Sequence, residues 1–332
     1  MKALVTGSAG FIGSHVADSC LELGMDVVAT DDLSGGFRDN VPEGAAWIEG
    51  DVRDAEFVES LWRDHGPFDY VYHLAAYAAE GLSHFIRAFN YRTNLEASAN
   101  LINQSILGDA KRFVFTSSIA VYGAHQLPMT EDLTPEPEDP YGISKYAVEL
   151  DLAAAHGMFG LEYTVFRPHN VYGERQNISD RYRNVVGIFM NSILREEPMP
   201  VFGDGLQTRA FSHIDDVAPA IARSPLVDAT VNEIYNIGAD QPVSVLDLAK
   251  VIADAFEVEC RVEHRPARNE VVHAFSDHSK VREALDLGDP IDVTDGIARM
   301  AAWVRRHGSR DPVRFQGEIE VARNLPPSWV DG

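Results

Sequence analysis

Short β-branched runs alternate with amphipathic stretches through the first half of the chain. Leu4–Thr6, Val27–Thr30, Trp47–Glu49, Tyr70–Leu74 and Phe113–Ser117 read as strands. Between them Ile12–Leu23 and Phe57–Arg63 read as helices. A longer helix is expected over His84–Leu107, with apolar Phe85, Phe89, Leu95, Leu101 and Ile102. Strands alternating with helices predict an α/β fold, a parallel sheet covered on both faces. The second half is less regular. Thr164–Arg167 and Glu233–Ile237 read as strands, and Val245–Ala255 and Val293–Val304 as helices. The Pro- and acid-rich stretch Gln126–Asp139 reads as a surface excursion. After Arg306 the pattern stops, and that tail is expected to be poorly ordered.

Length and charge narrow the picture. A chain of 332 residues predicts about two domains. The expected division is a core over 1–167 with a later return around 211–240. A smaller lobe would come from 168–210 and 241–310, followed by a tail over 311–332. With 28 basic and 51 acidic residues the net charge is −23. Such a chain is not expected to bind nucleic acid by counterion release, nor an anionic membrane surface. No apolar run approaches the ~18–20 residues that span a bilayer. The apolar patch near Met1 is too short for a signal-peptide core. Two cysteines, Cys20 and Cys260, suggest neither a disulfide framework nor a metal site, so a reducing cytoplasm is the expected compartment.

Gly7-Ser8-Ala9-Gly10-Phe11-Ile12-Gly13 follows the first strand and opens a helix. Glycines there permit a tight turn and let a pyrophosphate approach the backbone and the helix N-terminus. Asp31, 24 positions after Gly7, ends the second strand, where an acid accepts adenosine ribose hydroxyls. A carboxylate there also repels a 2′-phosphate, so NAD is favoured over NADP. Asp32 is the alternative by one register. Arg38 could meet a 2′-phosphate, but the nearer acids argue against it. Asp51 and Val52 follow the third strand, where a carboxylate can meet an adenine amino group or simply close a turn. Leu74, Ala75 and Ala76 end the fourth strand, and such small residues let a flat ligand lie close. His73 reads as a buried structural histidine.

Tyr141 and Lys145, four apart after Pro140, share one helix face. A phenol has a pKa of ~10 and is a poor base at neutral pH. A nearby ammonium and a cationic nicotinamide would stabilise its phenolate. The phenolate could then take a proton from a sugar hydroxyl while hydride leaves the same carbon. Lys145 is one of only five lysines, against 23 arginines. Ser118, at the end of the fifth strand, could bond the reacting oxygen and relay its proton, or simply cap the strand end.

In this order the motifs resemble an extended short-chain dehydrogenase/reductase of the nucleotide-sugar epimerase/dehydratase type. The match runs from the glycine turn through Asp31, Asn94, Ser118 and Tyr141-x-x-x-Lys145. It continues through Arg167-Pro168-His169-Asn170-Val171-Tyr172-Gly173, Phe202-Gly203-Asp204-Gly205, Thr208-Arg209 and Ser276-Asp277-x-Ser279-Lys280, covering about residues 1–306. The resemblance implies an NAD-binding Rossmann core, a C-terminal nucleotide-sugar lobe, and a homodimer through the helices around Phe85–Leu107 and from Tyr141. It implies that Asn94 supports the water and backbone network beside the cofactor. Asn170 and Arg209 would meet the diphosphate, and Phe202 the uracil or thymine. A second diphosphate arginine falls in Arg265-Pro266-Ala267-Arg268. Strict spacing lands on Ala267, with Arg268 the first candidate and Arg265 the alternative.

The reaction follows from what is missing. In the resembled family, sugar-nucleotide 4,6-dehydratases carry an Asp-Glu pair before Val-Tyr-Gly that performs elimination at C5 and C6, and glucuronate decarboxylases carry a Glu there. This chain has Ile119-Ala120. What is left is 4-epimerisation of a nucleotide sugar with retained NAD. Asn177, where glucuronate epimerases carry Arg, favours a neutral UDP-hexose, with UDP-glucose/UDP-galactose leading. Arg181 and Arg183 keep an acidic sugar open, and the small Ala274 keeps an N-acetylated one open. A sensor that binds NAD without turnover is disfavoured because such proteins lose the Tyr-Lys pair.

Overall fold

The computed structural model describes residues 1–124, 126–180, 182, 184–267, 272–309, 315 and 317–326. Its centre is a seven-stranded sheet. In chain order the strands are β1 (Lys2–Thr6), β2 (Asp26–Asp31), β3 (Ala46–Glu49), β4 (Tyr70–His73), β5 (Arg112–Thr116), β6 (Tyr163–Pro168) and, after four short strands of the lobe, β11 (Glu233–Ile237). They lie in the order β11-β6-β5-β4-β1-β2-β3, and every pair is parallel. This is the doubly wound Rossmann arrangement with one added strand, and its order reverses beside β1.

Alternation along the strands builds two cores. Ala3 and Val5, Val27 and Ala29, Tyr70 and Tyr72, and Val114 and Phe166 face one side, where α1 (Phe11–Glu22) and α8 (Ile214–Arg223) pack. Leu4, Val28, Val71, Phe113, Phe115 and Val165 face the other, under α2 (Ala55–His65), α5 (Ala97–Leu107) and α6 (Pro140–Phe159). Strands so covered carry unbroken apolar runs, which is why they stand out in the sequence.

A third core lies outside the sheet. Phe189 and Met190 of α7 (Val185–Leu194), Val201 of β8 (Met199–Phe202), Leu248 and Ile252 of α9 (Val245–Ala255), and Ile297 and Met300 of α11 (Val293–His307) form it. Small sheets complete this lobe. β7 (Val171–Tyr172) pairs with β10 (Ser212–His213). β9 (Thr208–Ala210) lies between β12 (Pro242–Ser244) and β14 (His273–Ala274), and β13 (Val262–Arg265) pairs with β8. From this packing we propose the division 1–167 with 211–240 for the core, and 168–210 with 241–310 for the lobe. One exception is α10 (Ser279–Leu285), whose Val281 and Leu285 pack on the β11 side of the sheet.

The stretch 84–107 is not one helix. A short α3 (Glu80–Ser83) precedes it, and helix resumes only at α4 (Arg87–Tyr91), which passes through a π-helical turn over Arg92–Glu96 into α5. The restart at α4 has a distant cause: the Glu320 carboxylate accepts the Ala88 and Phe89 N–H groups at 2.7 and 2.8 Å. The described part of the tail is therefore docked, contrary to expectation. Phe315 and Ile319 pack against the buried Ala79, Leu82 and Ile86, as do Tyr77, Phe85, Phe89 and Tyr182. Among the described residues no helix is long and apolar enough to cross a membrane. Both cysteines are free, Cys20 buried and Cys260 exposed.

Candidate active site

A cavity of about 1030 Å³ opens where the strands end, at the point where the sheet order reverses. Its floor is the turn from β1 to α1. Gly7 adopts φ +71°, and a Cβ there would stand 2.6 Å from the Ala75 nitrogen. A Cβ on Gly13 would stand 2.0 Å from the Gly7 carbonyl oxygen. Only glycines let turn, helix and β4 end come this close. Gly7, Gly10, Phe11, Ile12 and Gly13 all line the cavity, as do Leu74, Ala75 and Ala76. Gly10 caps α1 without a side chain, and no acid of the helix itself occupies the first turn, so its free N–H groups face the cavity.

Asp31 and Asp32 both line the cavity. The Asp31 carboxylate accepts the Ala9 N–H at 3.1 Å and the Leu33 N–H at 2.8 Å. Burial, with the neighbouring Asp32 charge, pushes its carboxyl above the ordinary range, against the pull of the Leu33, Ala9 and Gly10 N–H groups. Asp32 accepts the Ser34 N–H at 2.9 Å. Asp51 and Val52 also line the cavity. Asp51 is bound by Arg53 at 2.6 Å, and the same guanidinium reaches Asp32 at 3.9 Å. Burial works to raise the Asp51 carboxyl, but the Arg53 hydrogen bonds outweigh it and hold it below its usual value. Nothing in the sequence singled out Arg53, although it sits two residues from Asp51. Arg38 stacks over Trp47 at 4.8 Å.

Asn94 does not line the cavity. It sits in the π-helical turn, accepts the Tyr77 N–H at 2.8 Å and donates to the Tyr77 carbonyl at 3.1 Å. It thereby fixes the backbone just beyond Ala76. His73 is buried between the Thr6 and Ser98 hydroxyls at 2.8 and 2.9 Å. Burial drops it to about 3, so it is neutral and structural.

Tyr141, Lys145 and Ser118 all line the cavity. Pro140 opens α6, and Asp139 caps it by accepting the Tyr141 and Gly142 N–H groups at 2.8 and 3.0 Å. One turn on, Lys145 donates to the Thr116 carbonyl at 2.8 Å and lies 4.7 Å from the Phe115 ring centre. Burial pulls its ammonium down to about 7, against the Glu149 carboxylate. Ser118 does cap a short turn, accepting the Ala120 N–H at 3.1 Å. Its hydroxyl proton is free to point elsewhere.

Further along α6 lies a group that sequence reasoning missed. Glu149, two turns after Tyr141, is buried and accepts from Ser117 and from the buried Arg167. Arg167 donates in turn to the Tyr122 hydroxyl at 2.7 Å. Burial disfavours the guanidinium charge, but the paired Glu149 holds it firmly. The four-residue spacing Tyr141, Lys145, Glu149 was the available signal.

The far end of the cavity belongs to the lobe. Asn170, at φ +39°, donates to the Ala210 carbonyl at 3.2 Å and lines the cavity with Phe202 and Arg209. Arg209 donates to the Thr208 and Val272 carbonyls, both at 2.9 Å. Gln207, Val185, Ile188 and Phe189 line the same end. Arg268, Arg181 and Arg183 lie outside the described residues. Arg265 pairs with Glu263 at 2.7 Å.

The geometry has close counterparts. The model of the NAD dependent epimerase/dehydratase family matches residues 3–238. A putative UDP-glucose 4-epimerase of Methanocaldococcus jannaschii is 34% identical over 309 residues, covering 92% of this chain and 98% of that protein. The UDP-glucose 4-epimerase of Thermotoga maritima, solved with UDP-glucose, superposes with a TM-score of 0.88 at 34% identity, covering 92% of this chain and 99% of that one. The UDP-glucuronic acid 4-epimerase of Bacillus cereus, solved with UDP-glucuronic acid and NAD, gives 0.84 at 26% identity, covering 92% and 100%. The chain belongs to the NAD-dependent epimerase/dehydratase family of nucleotide-sugar enzymes.

Proposed function

We propose that this chain is an NAD-dependent 4-epimerase of a nucleotide sugar, with UDP-glucose and UDP-galactose as its leading pair. The carrying observation is the pairing of Tyr141 and Lys145 beside a wall at Ile119 and Ala120 that offers no proton-transfer group. Such a site suits proton removal from one hydroxyl and not elimination or decarboxylation.

The cofactor fits the residues. The uncapped α1 end suits a pyrophosphate, Asp31 suits ribose hydroxyls, and the Ala75–Ala76 backbone suits a flat ring. When bound, NAD supplies a hydride acceptor that gives back what it takes. Asn94 would act indirectly, by holding Tyr77. Phe202 and the apolar Val185 and Ile188 suit a pyrimidine base. Arg209 and Asn170 suit a diphosphate, and Arg268 is the further candidate for that contact.

The proton chemistry belongs to the chain. Tyr141 takes the C4 hydroxyl proton as its phenolate, which the Lys145 ammonium stabilises before the transfer and which becomes the neutral phenol on accepting the proton. Ser118 donates to the same sugar oxygen and steadies the carbonyl formed. The 4-keto sugar turns over in the cavity, and Tyr141 returns the proton when C4 is reduced from its other face.

A neutral hexose is favoured because Asn177 is committed to the Ser179 N–H and hydroxyl, and Arg175 to Asp18. A second reading, an N-acetylhexosamine, is favoured by Ala274, which lines the cavity with a single methyl. We also infer a homodimer through α5 and α6, since Ile143, Leu150, Met158 and Leu107 are exposed there. Purified protein is mixed with UDP-galactose and no added NAD, and the anomeric protons are followed by NMR. UDP-glucose should appear. If nothing converts even with NAD supplied, the leading pair is rejected, and UDP-N-acetylgalactosamine and UDP-glucuronate are assayed alongside.

A further inference from the structure

The resemblance to the family stops near Arg306. The described part of the tail beyond it reaches the cavity. Phe315 and Gly317 are among its lining residues. Phe315 packs against Phe89 at 4.9 Å and Tyr77 at 5.4 Å between ring centres, and Tyr77 meets Phe89 edge-on at 5.3 Å.

This aromatic triad is anchored from two sides. Asn94 clamps the Tyr77 backbone. Glu320 is tied to α4 by its carboxylate, at 2.7 and 2.8 Å, and by its own N–H to the Phe85 carbonyl at 2.9 Å. Hydrogen bonds to a carboxylate are of the stronger kind. The cluster also takes in Tyr182, from the loop that precedes α7 of the lobe. The tail and this loop thus pack on one buried patch, Ala79, Leu82 and Ile86.

The position along the crevice is set by Phe89. The Arg53 guanidinium lies 5.7 Å from the Phe89 ring centre and binds Asp51 and Asp32. Those acids mark the ends of β2 and β3, the adenosine half of a dinucleotide crevice. We propose that the tail, residues 315 and 317–326, is a strap over this half of the crevice. Phe315 forms part of the cofactor's wall and Glu320 is its anchor, so that a dinucleotide leaves only when the strap undocks. The proposal rests on the reading of this crevice as the NAD site. It suits a reaction that ends each turnover with its cofactor in the starting oxidation state.

The test uses the full chain and the variants Phe315→Ala, Glu320→Ala and Phe315→Trp. Each is loaded with labelled NAD and diluted into excess unlabelled NAD, and the release rate is measured. UDP affinity is measured in parallel by calorimetry. Phe315→Ala and Glu320→Ala should each speed release by about tenfold or more, since a tenfold change needs only ~1.4 kcal/mol. Phe315→Trp should keep release slow, and UDP affinity should hold in all three. Release at the wild-type rate from both alanine variants overturns the strap alone. A wild-type chain that binds no NAD overturns both the strap and the reading beneath it.

Discussion

Lys145 Nζ stands 5.9 Å from the centre of the Tyr141 ring, one turn further along α6. The ammonium is held there by its hydrogen bond to the Thr116 carbonyl at 2.8 Å. Tyr141→Phe should lower kcat by about 10²–10⁴, the range of general acid–base catalysis. NAD content and thermal midpoint should stay those of the wild type. Ser118→Ala should lower kcat by less. A Tyr141→Phe enzyme that turns over normally contradicts the assignment of the base.

The buried lysine also gives a pH signature. Folding pulls its pKa to about 7, whereas the unfolded chain keeps the proton up to about 10.4. Below 7 both states are charged, and the buried ammonium is a cost. Between those values the unfolded chain holds a proton that the folded one has released, so stability rises with pH. Lys145→Met abolishes this dependence. The unfolding free energy of the variant minus that of the wild type should be flat below about pH 6. It should then fall by up to ~1.4 kcal/mol per pH unit above neutrality. Urea titrations of the NAD-free proteins read it, and a constant difference from pH 6 to 9 counts against it.

Glu149 and Arg167 make a separate claim about stability. Removing one member leaves a buried charge alone, which costs about 3–5 kcal/mol, whereas removing both with apolar replacements costs far less. Arg167→Met should therefore destabilise strongly, and Glu149→Leu added to it should recover much of the loss. Denaturant midpoints of the four proteins decide. Simple additivity would mean that the pair does not act as a unit.

Leu150 is 55% exposed and Met158 75% exposed, on the side of α6 turned away from the sheet. Leu150→Arg should convert a dimer to a monomer by light scattering, with Tyr141 and Lys145 undisturbed because they lie on the buried side. A wild-type chain that is already monomeric removes the basis for this surface.

The sheet was legible because its strands are covered on both faces and read as apolar runs. Glu233–Ile237 has the bounds its sequence suggests. The motif residues of the crevice were legible because turns and helix starts demand particular side chains within a few positions. What escaped was long-range. The break at α4 is set by Glu320, more than 230 residues away, and no local periodicity records such a partner. Arg167 was read only as part of a motif, since its pairing with Glu149 depends on β6 lying under α6. The described part of the tail showed no period because it docks through scattered single contacts, Phe315, Ile319 and the Glu320 carboxylate and N–H, not by a repeating face.

The central claim is that hydride leaves C4 and returns to the same carbon while the cofactor stays bound. UDP-galactose deuterated at C4 tests it most directly. The account predicts UDP-glucose with deuterium retained at C4, in ordinary water and with no added NAD. Product with the label washed out to solvent would mean deprotonation at carbon in place of hydride transfer, and would contradict the account.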